Sequence, residues 1–173
     1  MANNMKKKQQ GFSLVELIIV VVIIGVIAAI AIPNMIASRR AANEGSTISA
    51  LRTLHGAQAI YHTSNGMGNY AGTASSTGDT VGLTTLNSVG LIDSVLASGT
   101  KAGYNLAGAM SISSASSPAT FFFSANPVNT SGIIQTGTRR YCVTQQGFVG
   151  ADASNLSTLF DATTAASATP LNN

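Results

Sequence analysis

The stretch that decides the fold is the apolar run at residues 12–32, which reads FSLVELIIVVVIIGVIAAIAI. Only Ser13, Glu16 and Gly25 interrupt its apolar character. Twenty-one residues at the rise of an α-helix extend about 31 Å, which is enough to cross the hydrocarbon core of a bilayer. The many β-branched residues weakly disfavour a helix in water, but lipid forces the backbone to satisfy its own hydrogen bonds. We therefore predict a membrane-spanning helix.

The net positive charge of the chain comes from residues that precede this run. Charged residues make up 9% of the sequence, against roughly 25% in typical soluble domains. The net charge of +3 comes from Lys6, Lys7 and Lys8, because the six basic residues from residue 12 onward balance the six acidic ones. A neutral remainder gives no support for nucleic-acid binding, which needs a basic face. Lysines directly before an apolar run indicate instead that the N-terminus stays in the cytoplasm.

Three interpretations of the apolar run are open on these grounds. It is an ordinary transmembrane anchor, or it is a secretory signal peptide with Ala29-Ile30-Ala31 as an A-x-A cleavage site. The third interpretation is a retained apolar helix that follows a short, cleavable basic leader.

Glu16 favours the third interpretation. A carboxylate inside an apolar run costs about 2.5–3.5 kcal/mol at the membrane centre and less near the end. If the chain were cut between Gly11 and Phe12, Glu16 would lie one helical turn from a new α-ammonium group. At about 4 Å, opposite charges gain roughly 4 kcal/mol at an effective dielectric constant of 20. Pairing with a neighbouring chain's ammonium would offset the burial and set the axial register of packed helices.

The segment KKKQQGFSLVEL at residues 6–17 resembles the processing site of type IV pilins and type II secretion pseudopilins. The resemblance implies that a prepilin peptidase cuts after Gly11 and that Phe12 becomes N-methylated. It places Glu16 at the fifth mature position, where the family has its assembly glutamate. Gly25 and Pro33 match a family glycine and proline that flank a helix stretch which unwinds in some assembled pili. The likeness covers about residues 6–45.

The resemblance implies an α+β pilin fold, in which a long N-terminal helix packs on a small C-terminal antiparallel β-sheet. The transmembrane half of the helix would be followed by an amphipathic half. The implied function is that of a structural subunit of a type IV pilus-like, homo-oligomeric filament. Its partners would be the prepilin peptidase, the inner-membrane assembly platform and the secretin. The subunit would lie in the inner membrane before assembly and in a cell-surface or periplasmic filament afterwards.

Two other functions stay open. A pseudopilin of a type II secretion system would use the same N-terminus for protein export. An exported soluble binding module would instead be cut after Ala31 and would begin at Ile32.

Beyond the anchor we expect a further helix, a loop and a β region. The expected divisions are a leader at 1–11, the assembly helix at 12–33, a helix at 34–63, a loop at 64–100, strands within 101–150 and a weakly ordered tail at 162–173. Pro33 removes a backbone donor, so we expect it to break or kink the helix. An apolar stripe then follows at helical spacing, formed by Ile48, Leu51, Leu54 and Tyr61.

The strand candidates are 104–106, 110–112, 119–124, a weaker one at 132–135, and a hairpin at 140–149. Phe121, Phe122 and Phe123 cannot all face one side of a strand. We expect at least one to contact the helix and another to meet solvent or a neighbouring subunit, with a buried edge as the alternative to a subunit contact. Arg39, Arg40 and Glu44 form either a solvated face at the membrane surface or salt bridges between subunits.

The residues that could support catalysis or metal binding are few, and we predict no enzyme, no cofactor and no metal site. His55 and His62 share a helix face, but they lack a third ligand nearby in sequence. Asp152, Asn155 and Asp161 are a thin ligand set for calcium, which takes six to eight oxygens. Cys142, the sole cysteine, is expected to be an inert, half-buried thiol.

Overall fold

The structure is a computed structural model that describes residues 11–171. Four helices and five strands follow one another in an α+β arrangement: α1 (Leu14–Ser64), α2 (Val81–Ser88), α3 (Ser94–Ala97), β1 (Thr100–Lys101), β2 (Tyr104–Ser111), β3 (Thr120–Pro127), β4 (Arg140–Thr144), β5 (Val149–Asp152) and α4 (Ala162–Ala166). The chain divides into two compact units at residues 37 and 38. The first 24 residues of α1 belong to the N-terminal unit, and the rest of α1 belongs to the C-terminal unit.

The described part of the N-terminal unit, residues 11–37, is an apolar helix with no protein packed around it. Its large side chains are more than half exposed, from Phe12 and Leu14 to Met35. Among the described residues, α1 is long and apolar enough to cross a membrane. A helix that is apolar on all sides requires apolar surroundings, so lipid or other helices must cover this one.

The helix passes through Gly25 and Pro33 without interruption, and the break predicted at these residues is absent from this structure. The fixed φ of proline lies in the helical range, so Pro33 removes only the bond that its missing N–H would have donated. The neighbouring backbone bonds are enough to continue α1.

The C-terminal unit contains a five-stranded antiparallel sheet in which sequence neighbours lie side by side, in the order β1-β2-β3-β4-β5. The predicted strands 104–106 and 110–112 are two ends of a single strand, β2, which pairs along its whole length with β3. The predicted hairpin is present as β4 and β5. Residues 132–135 form a turn closed by the Gln135 N–H and the Gly132 carbonyl, so the prediction of a strand there is wrong.

The main core lies between α1 and one face of the sheet. Leu51 and Leu54 of α1 are fully buried against it. The sheet contributes Leu106, Phe123, Tyr141 and Val143, and the two short helices contribute Leu83, Leu86 and Leu96. Burying each such side chain stabilises the fold by roughly 1.5–3 kcal/mol. The apolar stripe predicted on the second half of the helix is therefore its core face.

The three consecutive phenylalanines lie on the central strand and are all buried. Phe121 and Phe123 face the main core, as the alternation of a strand requires. Phe122 faces the other side, where Cys142, Phe160 and Ala165 cover it. The expectation that one of them meets solvent or a neighbour is wrong, because the chain after β5 folds back over this face.

That covering segment includes part of the predicted weakly ordered tail, and there too the structure differs from the prediction. Asp161 accepts the Thr164 backbone N–H at 2.8 Å, and the Thr164 hydroxyl pairs with the Asp161 backbone in a reciprocal capping box. Beyond α4, the Leu171 N–H donates to the Val149 carbonyl at 2.9 Å. A composition rich in alanine and threonine gave no apolar signal, but local capping and backbone pairing order the segment up to residue 171.

Candidate assembly site

The two polar side chains of the apolar run, Ser13 and Glu16, cap the N-terminal end of α1. Ser13 directly precedes the helix, and its hydroxyl accepts the Val15 N–H at 3.3 Å. The Glu16 carboxylate reaches back and accepts the Ser13 N–H at 2.9 Å. Together they form a reciprocal cap that satisfies two backbone donors which the helix itself leaves unpaired. In this structure the glutamate thus serves its own helix.

The predicted cleavage site lies directly before this cap. Gly11 and Phe12 are both exposed, and the Phe12 side chain is 91% exposed. Glu16 is the sole charged residue between positions 11 and 37. Gly25 is also exposed, and a methyl group added there would meet no atom within 4 Å. Gly11, Phe12 and Glu16 therefore lie together at the start of α1, whereas Gly25 and Pro33 lie further along it.

The residues considered for metal binding serve the protein's own packing. His55 lies 5.9 Å from the Phe121 ring and His62 lies 4.6 Å from the Tyr70 ring. Asp152 accepts both the Arg140 guanidinium and the Ser154 hydroxyl at 2.7 Å, and Asp161 caps α4. Within residues 11–171, no three His, Cys, Asp or Glu side chains converge as metal ligands.

A second polar cluster, centred on Glu44, was missed by the sequence interpretation. Glu44 is 7% exposed and accepts four hydrogen bonds from the chain around β4. Thr138 donates its backbone N–H and its hydroxyl, each at 2.7 Å. Tyr141 donates its hydroxyl at 2.7 Å, and Arg139 forms a salt bridge at 3.1 Å. Glu44 is therefore neither on a solvated face nor free to bridge to another subunit.

The electrostatics of the Glu44 cluster follow from these bonds. Burial alone raises the pKa of Glu44, but the bonds from the Thr138 backbone, Tyr141, the Thr138 hydroxyl and Arg139 outweigh it. As a result, the pKa of Glu44 lies below its ordinary value. Burial and the nearby carboxylate raise the pKa of Tyr141, so the phenol stays protonated and donates.

A signal for this cluster was present in the sequence. Glu44, Leu51 and Gln58 are spaced seven residues apart, and all three are buried on one face of α1. Gln58 also bonds to the backbone, with its amide donating to the Ala71 carbonyl at 2.7 Å and accepting the Ala71 N–H at 2.8 Å. A polar residue at the heptad spacing of a buried leucine indicates a bonded core residue rather than a solvated one.

Comparison with known proteins points to the same segment, the start of α1. Residues 6–32 match a family model described as the prokaryotic N-terminal methylation motif. The N-terminal segment is therefore similar to a methylation motif. The motif includes Gly11, Phe12, Glu16 and Gly25 and ends just before Pro33.

Curated relatives match over about a third of the chain. The type II secretion system core protein G of Klebsiella pneumoniae is 36% identical over 59 residues, which are 34% of this chain and 42% of that protein. The protein of the same name from Escherichia coli K12 is 36% identical over 58 residues, covering 34% and 40%. The type IV wide pilus major component PilA4 of Thermus thermophilus is 37% identical over 59 residues, covering 34% and 45%.

The chain thus spans less than half the length of the relatives it matches. No solved structure matches the chain. The relatives are named as secretion-system and pilus components, and none of these names denotes an enzyme.

Proposed function

We propose that this protein is a structural subunit of a type IV pilus-like filament and that it assembles through α1. The observation that supports this most is the isolated Glu16 at the start of an uncovered apolar helix. Glu16 lies five residues into a chain that would begin at Phe12. A cap needs only a hydrogen-bond acceptor, whereas a helix that packs beside identical helices also uses the charge.

The proposed sequence of events begins with insertion, with Lys6, Lys7 and Lys8 on the cytoplasmic side. A prepilin peptidase removes residues 1–11 and methylates Phe12. Cleavage creates an ammonium group one residue before Ser13. The Glu16 carboxylate, which caps its own helix in this structure, then has a cationic partner on the same or a neighbouring chain. Exposed side chains such as Ile18, Val22 and Ile27 repack from lipid onto other helices.

Such packing is heterologous, because one part of a subunit meets a different part of the next. Contacts of this kind repeat without closing and so generate a filament. The inner-membrane assembly platform and the secretin are the partners that this route requires.

The second candidate is a pseudopilin of a type II secretion system, and the names of the relatives favour it. The C-terminal unit favours the pilus, because its carboxylates have internal partners. Asp152 pairs with Arg140 and Asp161 caps α4, so neither is free for the calcium site that many major pseudopilins have near the C-terminus. Deleting the gene separates the two: loss of sheared surface filaments supports the pilus, and retention of folded exported proteins in the periplasm supports secretion.

Mass spectrometry of the native N-terminus tests the processing step. The expected N-terminal residue is N-methyl-Phe12. A mature chain that begins at Ile32 would contradict the proposal and support a secreted, soluble module. A chain that still begins at Met1 would support the interpretation as an ordinary membrane anchor.

Variants of Glu16 test the assembly step, and the first prediction is that charge rather than capping is required. Glu16→Ala removes both the charge and the cap, whereas Glu16→Gln keeps a side chain that can accept the Ser13 N–H. Both variants should be cleaved normally and yield few sheared filaments. Loss of about 4 kcal/mol of charge pairing corresponds to a roughly thousandfold weaker contact.

Ser13→Ala is the matched control for this experiment, because it weakens the cap and keeps the carboxylate. It should assemble nearly as well as the native chain. Normal filaments from Glu16→Gln, together with a defect in Ser13→Ala, would show that the glutamate acts as a helix cap alone.

A further inference from the structure

The segment between β3 and β4 exposes two adjacent isoleucines. Ile133 is 80% exposed and Ile134 is 72% exposed, at the tip of a turn that begins at Gly132. Two large apolar side chains at one turn tip are an unusual solvent-facing feature, and neither contributes to the described cores.

Side chains of α1 fix this turn in place. The Arg40 guanidinium donates to the Gly132 carbonyl at 2.9 Å and to the Gln135 carbonyl at 3.2 Å, on either side of the two isoleucines. Asn43 donates to the Thr136 carbonyl at 2.9 Å. Glu44 binds Thr138 directly afterwards. Three consecutive contacts from one stretch of helix therefore position the turn without using Ile133 or Ile134.

The attachment point lies close in sequence to the end of the apolar part of α1. The last large apolar residue before Arg40 is Ile36, four residues earlier. Even fully extended, four residues span no more than about 14 Å. If the apolar part of α1 lies in a bilayer, the Arg40 backbone therefore lies within about 14 Å of its last apolar residue, and the Arg40 side chain binds the turn.

The charge near the turn is positive. Arg39 is exposed, and the Arg139 side chain is 44% exposed. Glu44 is the sole acidic residue between positions 17 and 78, and it is buried and paired with Arg139. Exposed apolar side chains beside arginines match the boundary between acyl chains and anionic headgroups in a bilayer.

We propose that Ile133 and Ile134 insert into the surface of the bilayer that α1 spans, beside anionic lipid headgroups that pair with Arg39 and Arg139. The contact would fix how the C-terminal unit rests on the membrane before assembly. The proposal depends on the proposed function only in requiring that α1 is inserted.

A fluorescent probe on the full chain tests this contact. Ile134→Cys is labelled with an environment-sensitive, thiol-reactive dye and reconstituted into phosphatidylcholine vesicles with and without phosphatidylglycerol. The native Cys142 does not interfere, because it is buried and burial raises the pKa of its thiol to about 11. The unsubstituted chain measures any residual labelling.

Ile112→Cys is the matched control. Ile112 is also an exposed isoleucine, and it adjoins Ser113, which bonds to Asn69 beyond the C-terminal end of α1. The 132–135 turn instead binds Arg40, which lies at the other end of the α1 segment that belongs to the C-terminal unit. Dye at position 134 should emit at shorter wavelength and lose its emission to a lipid-borne quencher, more strongly with phosphatidylglycerol. Dye at position 112 should respond to aqueous iodide instead.

The outcomes separate this proposal from the proposed function. Resistance of the chain to alkaline extraction shows that α1 is inserted. An inserted chain whose dye at 134 responds like that at 112 overturns the lipid contact and leaves the filament proposal standing. A chain that alkali extracts contradicts the filament proposal itself. A shift to shorter wavelength that the lipid-borne quencher does not reduce would place the isoleucines against another copy, and that result also overturns the lipid contact.

Discussion

At the scale of single residues, Glu44 shows how a charged side chain becomes part of a protein core. It accepts two bonds from Thr138, one from Tyr141 and one from Arg139. Arg139 is itself partly exposed, so its attraction to the carboxylate is screened by water. The neutral donors are buried beside the carboxylate, and removing their acceptor would leave them unpaired.

Glu44→Ala should therefore destabilise the C-terminal unit by about 2–4 kcal/mol, since it leaves the Tyr141 hydroxyl and the Thr138 N–H without an acceptor. Urea unfolding measures the change. Tyr141→Phe removes a single donor and should cost only about 1 kcal/mol. Equal losses of stability in the two variants would show that Glu44 contributes no more to the network than the Tyr141 hydroxyl does.

Acid should weaken the fold through lowered carboxyl pKa values. The pKa of Glu44 lies below its usual value of 4.5. The backbone N–H and hydroxyl of Ser154, followed by Arg140, lower the pKa of Asp152 to about 2 from 3.8. Both carboxyls bind protons more weakly in the folded chain. Their stabilisation is present above the ordinary pKa values of 4.5 and 3.8 and decreases as the pH falls below them, towards about 2 for Asp152.

Urea unfolding as a function of pH checks this dependence. Glu44→Gln should be less stable than the native chain at neutral pH and should show a shallower loss between pH 4.5 and pH 2. Parallel curves for the two proteins would contradict the lowered pKa of Glu44.

At the scale of elements, the C-terminal helix α4 depends on a local cap and in turn covers the outer face of the sheet. Asp161 accepts the Thr164 N–H, and Ala165 packs on Phe122, Phe160 and Cys142. The Cys142 thiol lies 3.8 Å from the Ala165 carbonyl. The reactivity of this thiol is therefore a direct measure of whether α4 is in place.

Asp161→Ala should remove the cap, destabilise α4 and increase the rate at which a thiol reagent modifies Cys142 in the folded protein. Asp93→Ala is the matched control, because Asp93 caps α3 by accepting the Leu96 N–H at 2.7 Å and lies outside the cluster around Cys142. It should leave the rate of modification nearly unchanged. Similar rates in the two variants would indicate that α4 protects Cys142 only through global stability.

Elements with a strong periodic pattern could be predicted from the sequence, and those made by single contacts could not. The stripe of Ile48, Leu51 and Leu54 and the hairpin of β4 and β5 both follow from spacing. By contrast, α4 depends on one carboxylate, and the residue 132–135 turn depends on the reach of Arg40. No pattern in those segments indicates which distant residue will bind them.

The same distinction applies to the candidate site. Gly11, Phe12 and Glu16 could be proposed from the sequence because they follow one another in a short, fixed order. Their roles in cleavage and assembly stay predictions. The spacing of Glu44 from Leu51 and Gln58 could place it on the buried face of α1, but not identify its partners, which lie more than ninety residues away. The break expected at Pro33 is absent, because one missing bond does not end a helix of 51 residues.

At the scale of the whole molecule, the two units differ in whether they have a core of their own. The described part of the N-terminal unit has no internal core, whereas the buried residues of both core clusters lie in the C-terminal unit. A fragment covering residues 38–173 should therefore fold by itself, stay soluble without detergent and unfold cooperatively. Circular dichroism during thermal unfolding tests this. A fragment that aggregates or lacks a cooperative transition would show that the apolar helix contributes to folding.

The paired outer edge of β5 has a consequence for a protein that polymerises. The Ala151 N–H donates to the Thr169 carbonyl at 3.1 Å, and Pro170, which has no N–H to offer, lies against Gly150. An unpaired strand there would be a template on which further copies could stack as amyloid-like ribbons. In the proposed filament, crowded copies of this chain therefore cannot stack irreversibly through that edge, and ordered elongation would proceed through the apolar helix.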